Sequence, residues 1–388
     1  MVKKKIIRVT TVASSLKILL KGQLAYMNQF YEIVGVASND PMLDEVTKQE
    51  GIRTLGIEMT RQITPLKDLK AVWQLYRLFR REKPAIVHTH TPKAGTLGML
   101  AALLANVPHR LHTIAGLPLM EATGKKRTLL NVVEKFTYAC ATKVYPNSKG
   151  LDDFVKQEGF TSQKKLKVIG EGSSNGIDIT HFDPALFTEK DKTELREVLK
   201  LPQSERVLIY LGRIVADKGI HELIDAFENI AKQFDNVTLL IAGSPEKHLD
   251  PIAPRTEEIL NGHPKIKVLG WINDVRPYLA ISEAMIFPSY REGFPNVVMQ
   301  AGAMGVPVIA SDINGSNEII IPGKNGAIVP VKNAQRLEQA IAAFLEGKES
   351  TYSSANCRQM IIDRYDQKRI WQLLREEYEN LLSKTEKP

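Results

Sequence analysis

Two basic side chains, Arg213 and Lys218, lie five residues apart in the stretch YLGRIVADKG, residues 210–219. The apolar residues before them predict a buried strand that ends at Leu211, and those after Gly219 predict a helix. The free N–H groups and the dipole at a helix start favour anions, and two cations beside them suit a diphosphate. Fixed cations can also stabilise the negative charge that grows on a departing diphosphate.

A second stretch, PSYREGFPNVVMQA at residues 288–301, follows another predicted strand. Pro295 is well placed to start a helix, and Gly293 lets the backbone approach a ligand closely. The first N–H groups of this helix would form another site for an anion or a hydroxyl. Glu292 can accept hydrogen bonds from sugar hydroxyls, and Gln300, about one turn into the helix, can pair with ribose hydroxyls.

The first half of the chain also places polar residues after predicted strands. Gly22 lies near a helix start and could approach a phosphate, although no G-x-G-x-x-G is present. The stretch HTHTPK at residues 88–93 follows one strand, and His112 lies near another. His88 and His90 do not read as a metal pair, because no third ligand is apparent.

The chain contains no Asp-x-Asp. This removes the simplest acidic pair for a divalent metal bound to a nucleotide diphosphate. We therefore expect no metal site and no cofactor, with Arg213 and Lys218 carrying the charge instead.

The 388 residues are 43% hydrophobic and 25% charged, which is typical of a globular chain of two domains. Cys140 and Cys357 are the only cysteines, so a reducing compartment is expected. The basic N-terminus reads as a buried strand rather than a signal peptide, and the longest apolar run, 96–107, is too short to span a bilayer.

Residues 1–170 hold 27 Lys and Arg against 13 Asp and Glu, whereas the remainder is net negative. This asymmetry suggests that the N-terminal half faces a phospholipid surface, a pyrophosphate-bearing acceptor or nucleic acid. A solvated basic surface with no partner is the alternative.

The candidate site residues named above can act together only if the fold brings the ends of several strands close to one another. Short apolar runs alternate with amphipathic stretches, stop at the loop-like residues 171–187, and then start again, which predicts two Rossmann-like α/β domains with parallel sheets. Such sheets bind ligands at the carboxyl ends of their strands, and two of them face to face would form a cleft between the domains.

The predicted strands are 6–12, 31–37, 85–89, 110–114, 143–146, 207–211, 237–242, 266–269, 284–288 and 308–310, and the predicted helices of the first half are 66–81, 96–105 and 129–140. We predict an N-terminal domain over 1–170, a linker over 171–200, a C-terminal domain over 201–366, and an amphipathic last helix over 367–388 that crosses back to the N-terminal domain or caps its own.

The chain resembles the family-4 retaining glycosyltransferases of the GT-B fold, especially those that build capsule or lipid-linked glycans. The resemblance rests on motifs spread along nearly the whole chain: HTHTPKAG (88–95), LHTIAGLP (111–118), SNGID (174–178), LGRIVADKG (211–219) and PSYREGFPNVVMQA (288–301). It implies that Arg213 and Lys218 grip the donor diphosphate and that Glu292 contacts the donor sugar, assisted by the amides of Gly293, Phe294 and Pro295. His112 would lie beside the transferred sugar. The other donor contacts that we predict are Gly22, Asn175, Gly243, Trp271, Ile272, Asn296 and Gln300.

Gln300 is a departure, because the family motif has a second Glu at this position. A Gln amide can still bind ribose hydroxyls, but without a charge.

The resemblance implies transfer of a hexose or N-acetylhexosamine from a UDP-sugar, with retention of the anomeric configuration. The acceptor hydroxyl would approach the face from which UDP leaves, and a diphosphate oxygen would take its proton. The implied acceptor is linked to a polyprenyl diphosphate or is a glycan. We therefore expect a cytoplasmic protein, peripheral on the inner face of the cell membrane. The candidate residues for this anionic surface and for the acceptor are Arg80, Arg81, Lys93, Lys125, Lys126 and Arg127.

Two other functions would account for parts of this sequence. A UDP-N-acetylglucosamine 2-epimerase would share the two-lobed fold, but the stretch REGFPNVV does not match its pattern. A non-catalytic protein that binds anions or nucleic acid would account for the basic half, yet no aromatic–basic nucleic-acid module is visible, so no nucleic-acid partner is expected.

Overall fold

The computed structural model describes residues 3–60, 62, 64–120, 122–246, 250–348 and 352–385. The chain divides into two compact units: unit 1 is Met1–Gly176 with Gln367–Pro388, and unit 2 is Ile177–Asp366. The last three residues of the predicted helix 367–388 lie outside the described residues.

The stretch 171–200 is not a linker, in contrast to the sequence prediction. From Ile177 onward it belongs to unit 2 and carries a helix, Glu189–Val198. Phe182 and Leu201 are buried in the core of unit 2, and Arg358 donates to the carbonyl of Phe182. The apolar residues of this stretch are therefore held by the hydrophobic core that they help to form.

Unit 1 contains one sheet of six parallel strands in the order β3-β2-β1-β4-β5-β6. Its elements are β1 (Lys5–Val9), α1 (Ala13–Leu19), α2 (Gln23–Asn28), β2 (Glu32–Ala37), α3 (Met42–Glu50), β3 (Arg53–Gly56), α4 (Pro65–Glu82), β4 (Ile86–His90), α5 (Pro92–Leu104), β5 (His109–Ile114), α6 (Gly124–Cys140), β6 (Lys143–Pro146), α7 (Lys149–Gln157) and, after unit 2, α16 (Gln367–Thr385).

Both faces of this sheet are buried, so its strands read as continuous apolar runs. In β1, Ile7 and Val9 join the cluster on one face while Ile6 joins the cluster on the other. Alternation in β4 likewise puts Val87 on the first face and Ile86 on the second.

The last helix, α16, covers the second face. Tyr378 and Leu374 are buried in the cluster that contains Ile6. The indole ring of Trp371 lies 5.5 Å, centroid to centroid, from the ring of Tyr26 in α2. The apolar stripe of α16 thus completes the core of unit 1.

Unit 2 repeats the same strand order, β12-β11-β10-β7-β8-β9, in a second six-stranded parallel sheet. Its elements are α8 (Glu189–Val198), β7 (Arg206–Leu211), α9 (Ile220–Gln233), β8 (Val237–Ala242), α10 (Pro254–Gly262), β9 (Ile266–Gly270), α11 (Arg276–Ala280), β10 (Ala284–Phe287), α12 (Asn296–Ala303), β11 (Val308–Ser311), α13 (Ser316–Ile319), β12 (Gly326–Val329), α14 (Ala334–Leu345) and α15 (Ser354–Tyr365).

In β7 the side chains of Val207, Ile209 and Leu211 pack on one face of the sheet, and those of Leu208 and Tyr210 pack on the other. The strand order reverses between β7 and β10, which is where doubly wound sheets bind their ligands. The prediction of two Rossmann-like domains is confirmed.

Among the described residues, no helix combines the length and the apolar character needed to cross a lipid bilayer.

Candidate functional site

Lys218 and Glu292 meet in unit 2, at the crevice between β7 and β10. The Nζ atom of Lys218 lies 2.7 Å from Oε1 of Glu292, and the two side chains are 12% and 25% exposed. Lys218 Nζ also lies 3.4 Å from Oγ of Ser289 and 3.4 Å from the carbonyl oxygen of Arg291. A cation and a carboxylate are therefore held together in a partly desolvated position.

Gly219 lets the loop that carries Lys218 pass the end of β10. Its φ is +71°, and a Cβ atom there would lie 2.1 Å from the carbonyl oxygen of Pro288. A side chain would meet rigid backbone, so only glycine fits this approach. The close contact brings Lys218 to the residues that follow β10.

Arg213 lies on the same loop and forms an ion pair with Glu246. Its NH1 atom is 2.7 Å from Oε2 of Glu246, and the side chains are 44% and 37% exposed. This hydrogen bond to Glu246 raises the pKa of Arg213, which is charged in any case. The carbonyl of Arg213 accepts a hydrogen bond from the buried hydroxyl of Tyr210, at 2.7 Å, which fixes the backbone of the loop.

The loop between β10 and α12 is held in place by contacts with residues that the sequence motifs do not indicate. Asn314 donates to the carbonyl of Gly293, and a Cβ atom on Gly315 would lie 2.9 Å from that same oxygen. Arg291 donates to Oδ2 of Asp217 at 2.9 Å. These contacts join three loops of unit 2, and no local motif signals them, because the partners lie 21 to 74 residues apart in sequence.

The predicted donor contacts at the start of α12 are of two kinds. The N–H groups of Gly293, Asn296 and Val297 have no hydrogen-bond acceptor in the described part of the chain, so they are available to a ligand. Pro295 has no backbone N–H, so the predicted amide contact at this residue is wrong. The side chain of Phe294 packs in the core, where its ring lies 5.4 Å from that of Tyr365, and only its backbone can serve a ligand.

The other predicted donor residues of unit 2 are spread along neighbouring strand ends. Gly243 follows β8, and a Cβ atom there would lie 1.8 Å from the carbonyl oxygen of Gly212. Ile272, after β9, is partly buried against the core, whereas the adjacent Trp271 is 75% exposed. Gln300 is half-buried in α12.

His112 lies in unit 1, on the face of the sheet that α5 covers. Its Nδ1 atom is 2.8 Å from the hydroxyl of Thr89, and a Cβ atom on Gly95 would lie 2.4 Å from its Cε1. Burial lowers the pKa of His112 to about 4, so the imidazole is neutral at physiological pH. A neutral imidazole can exchange hydrogen bonds with a sugar hydroxyl but does not attract a phosphate by charge.

Gly22 and Asn175 are occupied by partners within unit 1. The N–H of Gly22 donates to Oε1 of Glu50 at 2.7 Å. Asn175 accepts from the indole of Trp371 at 2.6 Å through Oδ1, and its Nδ2 donates to the carbonyl of Lys21 at 3.0 Å. Both residues hold α2 and α16 in place, and the Gly22 N–H and the side-chain oxygen and nitrogen of Asn175 already have partners inside unit 1.

His88 and His90 are buried on the α16 face. His88 shares hydrogen bonds with the hydroxyl of Tyr378 at 2.6 Å and that of Thr113 at 2.8 Å. The Nε2 atom of His90 accepts from Nε of the fully buried Arg8 at 3.0 Å. Burial lowers the pKa values of both histidines well below the usual range. Both histidines of the HTHTPK stretch are thus held by hydrogen bonds inside unit 1.

Ion pairs within unit 1 neutralise Lys93 and Arg127, two of the cations predicted to form the basic surface. Lys93 lies 2.6 Å from Asp68, and Arg127 lies 3.0 Å from Glu158 while also donating to the carbonyl of Leu119. Lys125 and Lys126, at the start of α6, are exposed, as are Arg80 and Arg81 at the end of α4. In the described residues, no group of three or more His, Cys, Asp or Glu is arranged to hold a metal ion.

Known protein families and solved structures are similar to this chain in sequence and in fold. The family described as "Glycosyl transferases group 1" matches residues 191–360, and the "Glycosyl transferase 4-like domain" matches residues 25–172. The capsular polysaccharide biosynthesis glycosyltransferase CapM of Staphylococcus aureus is 31% identical over 98% of both chains. A UDP-Gal:alpha-D-GlcNAc-diphosphoundecaprenol alpha-1,3-galactosyltransferase of Escherichia coli is 29% identical over 79% of this chain and 78% of that one. The crystal structure of Anabaena Alr3699/HepE in complex with UDP superposes with a TM-score of 0.82 at 20% identity, covering 97% of this chain and all of the other.

Proposed function

Because this chain belongs to the family-4 glycosyltransferases of the GT-B fold, of the kind that act in capsule and lipopolysaccharide synthesis, we propose that it moves a hexose or N-acetylhexosamine from a UDP-sugar to a lipid-linked acceptor. The relative from Escherichia coli uses UDP-galactose and a diphosphoundecaprenol-linked acceptor, as its name states, and the Anabaena neighbour binds UDP. Both facts support this choice of substrates.

The observation that carries the proposal is the placement of Lys218 with Glu292 at the crevice where the strand order of unit 2 reverses. The ammonium group would bind the diphosphate, and the unbonded N–H groups of Gly293 and Asn296 would bind hydroxyl or phosphate oxygens. Glu292 would accept hydrogen bonds from the donor sugar.

We propose that the reaction retains the anomeric configuration and needs no metal ion. Lys218 and Arg213 would stabilise the charge that develops on the departing UDP. The acceptor hydroxyl would attack from the side on which UDP leaves and pass its proton to a diphosphate oxygen. No separate general base is then required.

The test is a transfer assay with radiolabelled UDP-hexoses and UDP-N-acetylhexosamines, with and without a polyprenyl-diphosphate-linked sugar. We expect UDP release that depends on the acceptor, a product with the donor's anomeric configuration by NMR, and turnover that persists in EDTA. An isomerised UDP-sugar with no transfer, or nucleic-acid binding without UDP affinity, would contradict the proposal.

We further propose that unit 1 rests on an anionic membrane through α6. Leu129, Val132 and Phe136, spaced to share one side of this helix, are 49%, 60% and 43% exposed. Lys125 lies four residues before Leu129 and so continues that side, with Lys126 beside it. An exposed apolar stripe that begins with cations is typical of helices that lie in a membrane interface.

Replacing Lys125 and Lys126 by Ala should weaken partitioning onto anionic vesicles by about 1 kcal/mol for each charge removed. The measurement is vesicle co-sedimentation in phosphatidylserine or phosphatidylglycerol mixtures. The matched control, Lys190→Ala with Lys232→Ala, removes two exposed charges from unit 2 and should leave partitioning unchanged. Equal partitioning of the Lys125/Lys126 variant and the unmodified protein would refute this surface.

A further inference from the structure

The proposed diphosphate site of unit 2 is occupied by carboxylates of the protein itself. Arg213 is paired with Glu246, and Lys218 is paired with Glu292, each at 2.7 Å. The N–H of Asp217, beside Lys218, donates to Oδ2 of Asp250 at 2.6 Å. The Arg213 guanidinium, the Lys218 ammonium and the Asp217 N–H would each favour a bound anion, and each is in contact with a carboxylate of the protein.

Two of the three carboxylates come from the segment that follows β8. Ile214 donates from its N–H to the carbonyl of Ser244 at 3.0 Å, so the chain beyond β7 and the chain beyond β8 continue in register past the sheet. This backbone pairing places Glu246 beside Arg213. The ion pair is thus built into the sheet extension.

Building on the proposed function, we propose that Glu246 is an internal competitor for the donor diphosphate at Arg213. The carboxylate of Glu246 accepts from NH1 of Arg213, so a phosphate oxygen must either displace it from that donor or take the remaining N–H groups beside a second negative charge. Any ion-pair free energy that is lost when the phosphate binds is subtracted from the free energy of nucleotide binding. Glu246 therefore weakens the binding of UDP and helps the product to leave.

The size of the effect follows from exposure. Since the Arg213 and Glu246 side chains are 44% and 37% exposed, water screens their attraction. Removing the charge in Glu246→Gln should tighten UDP binding by about two- to five-fold, which is the range for an exposed ion pair. A gain of affinity is informative, because a variant that folds poorly does not bind its ligand better.

The experiment is isothermal titration of UDP into the unmodified protein and four variants. Glu246→Gln should tighten binding, whereas in the Arg213→Ala background the same change should have no effect. Glu228→Gln is the matched control, because Glu228 is also paired with an arginine of unit 2, Arg255, at 2.6 Å. This control should bind UDP as the unmodified protein does.

Unchanged or weaker binding by Glu246→Gln would overturn the inference. Equal tightening with and without Arg213 would also overturn it, since the effect would then be a general gain of positive potential. If the unmodified protein does not bind UDP at all, the proposed function fails together with this inference. Normal UDP binding with no gain in Glu246→Gln removes only the role of Glu246.

Discussion

Replacing Lys218 by Ala should lower turnover by about two to three orders of magnitude, the usual cost of losing one contact to the charge of a transition state. The side chain of Lys218 is only 12% exposed, so water cannot readily take the place of its ammonium group beside the diphosphate. The loss also leaves the carboxylate of Glu292 without its cation, which adds repulsion toward the phosphates. Initial rates of UDP release from the donor measure the effect.

Glu292→Ala should reduce turnover to a similar degree for a different reason. The donor sugar would lose its hydrogen bonds to the carboxylate of Glu292, while Lys218 stays available to the phosphates. UDP alone should therefore bind to Glu292→Ala but only weakly to Lys218→Ala. The contrast separates a diphosphate contact from a sugar contact.

The matched control is Lys232→Ala, which removes an exposed lysine from α9 in the same unit. It should keep full turnover. Thermal unfolding of all variants shows whether any loss comes from instability, since that would lower the melting temperature in step with activity. Unimpaired turnover in either Lys218→Ala or Glu292→Ala would rule out this assignment of the donor site.

Unit 1 should lose stability steeply as the pH falls below about 6.5, the value for an unperturbed histidine. His88, His90 and His112 are buried, and burial lowers the pKa of His112 to about 4 and those of the other two well below the usual range. In the unfolded chain all three bind protons near pH 6.5, whereas in the folded state they stay neutral. Protons therefore stabilise the unfolded state, and stability present above pH 6.5 is lost on acidification.

With three more protons bound at these histidines in the unfolded state, they lower the free energy of unfolding by up to about 4 kcal/mol per pH unit. The partly buried His109 of the same unit, whose pKa burial also lowers, adds to this slope. Urea unfolding between pH 7 and pH 5, followed by tryptophan fluorescence, measures this slope. The chain has three tryptophans, and a Trp271→Phe background leaves Trp73 and Trp371, both in unit 1. The signal then reports on unit 1.

His112→Gln should reduce the slope by up to about 1.4 kcal/mol per pH unit, because the unfolded chain then binds one proton fewer. Absolute stability is not the readout, since the substitution also disturbs the contact with Thr89. A free energy of unfolding of unit 1 that stays constant from pH 6.5 to pH 5 would contradict this account of the buried histidines.

Much of the architecture follows from the sequence. Parallel strands covered on both faces require continuous apolar runs, and such runs predicted the strands at 143–146 and 237–242 with the bounds that the structure has. The sequence does not predict strands β3 and β12, because β3 buries none of its four residues and β12 buries only its two end residues, so neither forms a continuous buried apolar run. The sequence predicts a linker where helix α8 lies, because none of the residues of this helix is buried and it carries little apolar pattern.

The sequence by itself determined the two doubly wound units and the residues of the strand-to-helix loops, since local composition decides where apolar runs end and helices begin. Only the tertiary structure decided which of those residues are free to bind. Gly22 and Asn175 carry suitable groups, but Glu50 and Trp371 already use them. The partner of Arg213 comes from 33 residues along the chain. Such pairings depend on which strand ends become neighbours, and that is fixed by the packing of the whole sheet.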